Sequence, residues 1–328
     1  MLLENNLSDA IAEFSEGEKK MKQYLRIESI TDLMGLLPRE EVVHPLVTLV
    51  NFDDYKSQLP IGTKVILGFY AVVLANGCQH KVWYGQRPYD FSAGNMLCIA
   101  PGQTITIGAD EPEVKKEDSW GLFFHPDLIR HFALGKNIKS YTFFGYNTNE
   151  ALHLSPQELL ILREIIERIR IELNRGIDRY TQKLIVSNIE LMLNYCTRYY
   201  ERQFITRSGV EGGLLERFEC ALSEYMQGDD LTEKGLPSVA YLADRVCLSP
   251  NYMSDQLKQE TGLSPQEHIH RYVIEEAKNR LLSSDLSISE LAYALGFEYP
   301  QYFSRLFKLK TGMSPMQYRS GKKELRMN

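Results

Sequence analysis

Leu291-Ala292-Tyr293-Ala294-Leu295-Gly296-Phe297, followed by Pro300-Gln301-Tyr302-Phe303-Ser304-Arg305-Leu306-Phe307-Lys308, carries two helical periods on either side of one glycine. Ile288, Leu291, Ala292 and Leu295 recur at three- and four-residue intervals, which puts one apolar face on a first short helix. Gly296 stands where the chain must turn, since glycine alone takes left-handed backbone angles without steric cost. Phe303, Leu306 and Phe307 give a second helix its buried face. Gln301, Ser304, Arg305 and Lys308 are left on the opposite face.

The same pattern occurs once more upstream. Leu242-Ala243 matches Leu291-Ala292 and Leu248 matches Phe297, each 49 residues apart. Pro250, Tyr252, Ser254, Lys258, Thr261, Gly262, Ser264 and Pro265 match Pro300, Tyr302, Ser304, Lys308, Thr311, Gly312, Ser314 and Pro315, each 50 residues apart. The extra residue of the second copy falls between the two blocks, in the turn, where insertions are tolerated. In the first copy Val239, Leu242, Ala243 and Val246 build the first helix. Ser249 and Pro250 supply an N-cap and a first helical position for the second helix. Met253 and Leu257 face inward, while Asn251, Ser254, Asp255 and Lys258 face outward. Two copies are too few for a solenoid.

A short helix, a tight turn and a second helix with a polar outer face is the design of a helix-turn-helix, whose second helix enters the major groove of DNA. The outward residues suit that task. Asn251 and Gln301 can pair bidentately with adenine, Arg305 with guanine, and Asp255 can accept from cytosine N4. Ser254 and Ser304 stand at matching outward positions of the two helices. Lys258, Lys308 and Lys310 lie further along, where phosphates are met. A pair of plain α-hairpins with a solvated polar face is the alternative, and the matched outward positions of two copies weigh against it.

Leu291-Ala292 through Gly296-Phe297, then Tyr302-Phe303-Ser304-Arg305-Leu306-Phe307-Lys308, Thr311-Gly312, Ser314-Pro315 and Gln317-Tyr318-Arg319, resembles the signature of AraC/XylS-type transcription regulators. The resemblance covers about residues 214–321. It implies two helix-turn-helix units joined by a long helix, here about Pro265–Ser283. It also implies base contacts at Asn251, Ser254 and Asp255 in the first unit and at Gln301, Ser304 and Arg305 in the second. Double-stranded DNA and RNA polymerase are the implied partners, and activation is the implied mode of regulation. Two positions depart from the pattern: Leu257 stands where phenylalanine is usual, and Asp255 where a basic residue is common.

Charge sharpens that asymmetry. The 328-residue chain has a formal net charge of −6, which by itself speaks against a nucleic-acid partner. The charge is unevenly spread: −5 over residues 1–154, +2 over 155–210 and −3 over 211–328. Residues 217–297 carry −6, while residues 298–328 carry +5. Phosphates are therefore expected to be met mainly by the second unit, with the first unit binding more weakly.

Residues from about 40 to 145 read as β structure. Val65 to Leu74 is one β-branched and aromatic run ended by the Asn76-Gly77 turn signal. Met96–Ala100, Thr104–Ile107 and Trp120–Phe124 follow as shorter strands, and Asp127-Leu128-Ile129 begins a short helix. Strands punctuated by glycine and proline suggest a sandwich or small barrel. The Ala93-Gly94-Asn95 to Pro101-Gly102 pattern resembles the cupin-like sensing domain of the same regulator family. His80, Trp83, Tyr84, Arg87 and Tyr89 are candidate pocket residues for a small-molecule effector. Arg87 suits an anion and Trp83 a ring or sugar face. A metallo-cupin enzyme would need converging histidines. His80 stands alone, and His44, His125, His131 and His153 fall at no ligand-like spacing. No enzyme, metal or cofactor is expected.

From Ser155 the period changes to that of helices. Ser155 with Glu158 fits a capping box, with Pro156 at the first helical position. Leu159, Leu162, Ile165, Ile166, Ile169 and Leu173 form one stripe, and a second helix is expected from about Tyr180 to Tyr200. Leu159-Leu160-Ile161-Leu162 is apolar all round and needs cover on several sides, from a second copy of the chain or from within. The five cysteines, Cys78, Cys98, Cys196, Cys220 and Cys247, form no Cys-x-x-Cys and no even framework. No apolar run reaches the length of a membrane span. The acidic N-terminal residues Glu4, Asp9, Glu13, Glu16 and Glu18 are unlike a signal peptide. The expectation is a cytoplasmic, homodimeric α+β protein of three parts. Residues 1–154 form a cupin-like β-barrel for effector sensing, 155–213 a helical dimerisation or linker region, and 214–328 an all-α DNA-binding domain with tandem helix-turn-helix units. The rivals are a constitutive regulator whose N-terminal domain is purely structural, and a cupin enzyme fused to a DNA-binding tail.

Overall fold

The computed structural model describes residues 24–37, 44–52, 63–75, 83–84, 87–88, 94–106, 119–147, 150–176, 178–207, 213–228 and 230–326. The N-terminal part is rich in sheet. β1 (Tyr24–Ile27) leads into a short helix, α1 (Ile30–Gly35), closed by a capping box between Ser29 and Asp32. β2 (Val47–Asn51), β3 (Lys64–Leu67) and β4 (Tyr70–Ala75) follow. After them come the ribbon β5 (Trp83–Tyr84) and β6 (Arg87–Pro88), then β7 (Asn95–Ile99), β8 (Thr104–Thr106), β9 (Trp120–Phe124) and β10 (Leu152–His153). The strands pair as a five-stranded sheet in the order β10-β7-β4-β9-β2 and a three-stranded sheet β1-β3-β8. Among the described residues the strands close no barrel, so the expected cupin-like barrel is seen only as a sheet-rich N-terminal region.

The run expected as one strand from Val65 to Leu74 is two strands in two sheets. Gly68 makes the break: its N–H donates to the Ile27 carbonyl at 2.8 Å. A Cβ there would lie 2.6 Å from the Glu28 carbonyl oxygen. Phe69 is fully buried beside that crossing. The five-stranded sheet is covered on both faces, which is why Trp120–Phe124 reads as an unbroken apolar run. Ala71 and Phe123 face the core shared with β1, β3 and α1. Val72, Leu74, Leu122 and Phe124 face a second core built with the helices that follow.

Those helices begin with α2 (Pro126–Ile129), α3 (Ala133–Asn137) and two 3₁₀ turns, Ile138–Ser140 and Thr142–Gly145. α4 (Pro156–Asn174) starts at the expected capping box, with Ser155 accepting from the Glu158 N–H and Glu158 accepting from the Ser155 N–H. α5 (Thr181–Arg207) runs longer than the expected Tyr180–Tyr200. Leu159 and Leu162 are buried, Ile161 is half-buried and Leu160 is exposed, so the all-round apolar stretch is covered on only part of its circumference. No helix among the described residues is long and apolar enough to cross a membrane.

The C-terminal part is all helix and has its own core. α6 (Leu214–Gln227) and α7 (Asp230–Lys234) precede α8 (Val239–Arg245) and α9 (Pro250–Thr261). α10 (Pro265–Ser283) is the long connecting helix, with the bounds read from the sequence. α11 (Ile288–Ala294), α12 (Pro300–Thr311) and α13 (Pro315–Arg326) follow.

Candidate nucleic-acid interface

The second helix-turn-helix is α11 and α12. Ser287 and Glu290 form a capping box that starts α11. Leu291, Ala292, Leu295, Phe303 and Phe307 are fully buried in the domain core. The turn between the helices passes through Gly296 at φ 82°. A Cβ there would lie 2.6 Å from Leu231 Cδ1 and 3.1 Å from Gly235 backbone, so both the angle and the close approach require glycine. The Phe297 N–H then donates to the Ala292 carbonyl at 3.0 Å and fixes the exit of the turn. With the aromatic face of α12 locked inward, Gln301, Arg305 and Lys308 are exposed and Ser304 is half-exposed. Lys308 and Lys310 stand in the last turn of α12, exposed, where cations suit the helix dipole. The expected reading residues and the expected phosphate residues of this unit thus share one open surface.

The first unit, α8 and α9, repeats the geometry. Leu248 N–H donates to the Ala243 carbonyl at 2.9 Å, the counterpart of the Phe297 bond. Cys247 occupies the turn position of Gly296 and takes a left-handed φ of 59° despite its side chain. Ser249 caps α9, as expected, by accepting from the Tyr252 N–H. Met253 and Leu257 are buried. Gly262 and Gly312 end α9 and α12 alike, at φ 75° and 79°.

The outer face of α9, however, is open to solvent only in part: Asn251 and Lys258 are exposed, whereas Ser254 and Asp255 are half-buried. Tyr146 Oη donates to Asp255 Oδ2 at 2.6 Å. Glu150, buried at 1% exposure, accepts the Ser249 N–H on one carboxylate oxygen and the Ser249 hydroxyl on the other, both at 2.5 Å. A third bond, from the Asn147 N–H at 2.7 Å, holds that carboxylate to its own domain. The Asn251 amide nitrogen lies against Gly145, 2.1 Å from where a Cβ would sit. Tyr252 packs edge-on against Tyr146 and Phe204, each ring at 5.1 Å, and so belongs to the N-terminal core. Burial and the neighbouring Asp255 carboxylate both push the Tyr146 phenol well above its ordinary pKa, so it stays a proton donor. Ser254 bonds back to the Pro250 carbonyl at 2.6 Å, and Lys258 is exposed. In this arrangement Asp255 is half-buried and bonded to the N-terminal domain, while Asn251 abuts Gly145 with its amide end and otherwise stays exposed. The sequence reading missed Tyr146, Glu150 and Tyr252. Its one signal was the acidic Asp255 in a place that favours a base.

Of the effector-pocket candidates, His80 and Tyr89 lie outside the described residues. Trp83 and Tyr84 pair with Pro88 and Arg87 as an antiparallel ribbon, and their side chains lie outside what is described. Among the described residues, no group of three or more His, Cys, Asp or Glu side chains is arranged to hold a metal ion. Leu160 and Ile171 on α4, Tyr180 just before α5, and Leu184, Leu191 and Ile205 on α5 are exposed apolar side chains.

A family described as a helix-turn-helix domain matches residues 242–321, from α8 into α13. The chain is 36% identical over 276 residues to the arabinose operon regulatory protein of Escherichia coli K12, covering 84% of this chain and 87% of that protein. It is 40% identical over 81 residues to the HTH-type transcriptional activator RhaS of Escherichia fergusonii, covering 25% of this chain and 29% of the activator. This second likeness therefore spans less than a third of the activator's length. Among solved structures, the DNA-binding domain of AdpA, a global transcriptional factor in complex with a target DNA, is 23% identical. It covers 34% of this chain and 97% of that one, at a TM-score of 0.31.

Proposed function

Because the chain belongs to the AraC/XylS family of helix-turn-helix transcription regulators, we propose that it is a sequence-specific activator that reads DNA chiefly through α12. DNA binding and transcription regulation come with the family; activation, the residues and the mode are our reading. The observation that carries it is the open face of α12, where Gln301, Ser304 and Arg305 project together and Lys308 and Lys310 flank them. Arg305 is assigned a guanine, Gln301 an adenine, and the lysines the phosphates. Asn251, Ser254, Asp255 and Lys258 are assigned the second, weaker half of the site. The two recognition helices would enter successive major-groove faces about 34 Å apart.

In the same reading residues 1–154 form a cupin-like sensing domain for a small-molecule effector, with a pocket around His80, Trp83, Tyr84, Arg87 and Tyr89. The sensor role is favoured over an enzymatic one because the full-length relative is a regulator. Residues 155–213 form the dimerisation or linker region, supported by the exposed side chains of Tyr180, just before α5, and of Leu184 and Leu191 on it. RNA polymerase is the protein partner, and the protein works in the cytoplasm.

The test is a pair of substitutions in the full chain on a selected DNA site. Arg305→Ala is expected to lose about 1–3 kcal/mol and to relax preference at one base pair. Lys308→Ala is expected to weaken all sequences alike and to reduce the salt slope by about one unit. Unchanged binding by both variants would refute the assignment of α12.

A further inference from the structure

The geometry points to an autoinhibitory latch in which the N-terminal domain occupies the DNA-reading face of the first helix-turn-helix and leaves the second free. The inference rests on the DNA-binding reading of the two units and adds how one of them is held shut. The latch has three parts. Glu150 sets its carboxylate on the N-terminus of α9, bonded to the Ser249 N–H and hydroxyl. That is the place where a helix dipole and free N–H groups stabilise an anion, and where a recognition helix would meet a DNA phosphate. Tyr146 occupies Asp255, and Gly145 crowds the amide end of Asn251, whose side chain is otherwise exposed. Tyr252 inserts between Tyr146 and Phe204 and supplies the apolar part of the closure.

A base edge must come within hydrogen-bond distance of Asn251 and Asp255 to be read, and a major groove admits little more than the helix itself. Gly145, Tyr146 and Glu150 therefore compete with the groove for one surface. Glu150 is not a chance neighbour. It is almost wholly buried, and Asn147 fixes it from its own domain while Ser249 receives it on the other. Asp255 gains a role as well. An acid is a poor neighbour for phosphates but a good acceptor for the Tyr146 hydroxyl. The equivalent position of the second unit is Arg305, exposed and able to meet DNA in the same conformation.

The latch can be locked covalently. An ideal Cβ on Gly145 lies 3.9 Å from Asn251 Cβ, within the range spanned by disulfides. In the full chain, Gly145→Cys/Asn251→Cys is expected to form an intramolecular cross-link with oxidised glutathione, which neither single variant forms. The cross-linked protein should protect from hydroxyl radical only the half of a selected site read by α12, and reduction should restore access to the other half. The companion variant Tyr146→Phe/Glu150→Gln keeps the shapes and weakens the latch. It should half-protect the first-unit half at about tenfold lower concentration than wild type, the effect of losing a charge-assisted hydrogen bond. Protection by α12 should stay within about twofold. A cross-link no more abundant than in the single variants, or equal protection of both halves by the cross-linked protein, would overturn the latch. Cross-linking without any DNA binding, before or after reduction, would instead overturn the DNA-binding reading.

Discussion

Tyr252 and Tyr302 are the same residue of the repeat, 50 positions apart, yet the first is 1% exposed and the second 63%. Replacing each with alanine therefore measures what the interdomain contact is worth, with the second as internal control. Tyr252 sits among Tyr146, Phe204 and the rest of the N-terminal core. Removing a buried aromatic ring destabilises by about 3–5 kcal/mol when the space does not refill. In this protein the loss has a second outlet, because undocking of α9 would also expose the ring. The expected effect is a fall of roughly a hundredfold or more in the ratio of docked to undocked domains, at about 1.4 kcal/mol per tenfold. Tyr302→Ala should stay within about 0.5 kcal/mol of wild type, as surface substitutions do. Hydrogen exchange on the full chain reads both. Tyr252→Ala should lower protection of the first turn of α9 and of the Thr142–Gly145 turn, and should leave α11 and α12 unchanged. Equal effects from the two tyrosines, or undiminished protection of α9 in Tyr252→Ala, would refute the docked arrangement.

Other outcomes follow from single sites. Asn251→Ala should affect DNA affinity less than Arg305→Ala, because Asn251 is engaged with Gly145; an equal or larger loss would sink the ranking of the two units. Gly296→Ala should destabilise by about 2 kcal/mol or more, from its φ of 82° and its approach to Leu231, whereas Cys247→Gly should be neutral or stabilising in chemical denaturation. Burial lowers the pKa of His268 and His270, so the unfolded chain binds these protons more readily than the folded one. Their contribution is therefore full above pH 6.5 and is lost as pH falls through the folded values. Glu267 and Glu290, held low by the Ser264 and Ser287 N–H groups, lose theirs only below 4.5. Unfolding free energy should thus decline first below about pH 6.5, and His268→Gln should flatten that decline; a decline unaltered by the substitution would contradict it.

The repeat was legible in the sequence because its determinants are local. Leu291, Ala292, Leu295, Phe303 and Phe307 recur at helical spacing, Gly296 marks the turn, and Ser155-Pro156 with Glu158 announces α4. α10 begins and ends where Pro265 and Ser283 indicate. What escaped depends on partners far along the chain. The break at Gly68 is imposed by Glu28, just past the end of β1, and the lone glycine is the one mark of it within Val65–Leu74. Glu150 lies outside any periodic segment, 99 residues from Ser249. Tyr252 and Tyr302 look equivalent until the N-terminal domain is set beside one of them. The outward face of α9 was read correctly as polar, but polarity alone does not tell a groove of DNA from a carboxylate of the same chain.

Selection of binding sites from random DNA by the full chain tests whether α12 leads sequence-specific DNA recognition. The predicted result is an enriched site of two blocks about one helical turn apart. The block with the stronger preference should contain a guanine whose enrichment disappears when the selection is repeated with Arg305→Ala. No enrichment over the starting pool, or the same site selected by Arg305→Ala, would contradict it.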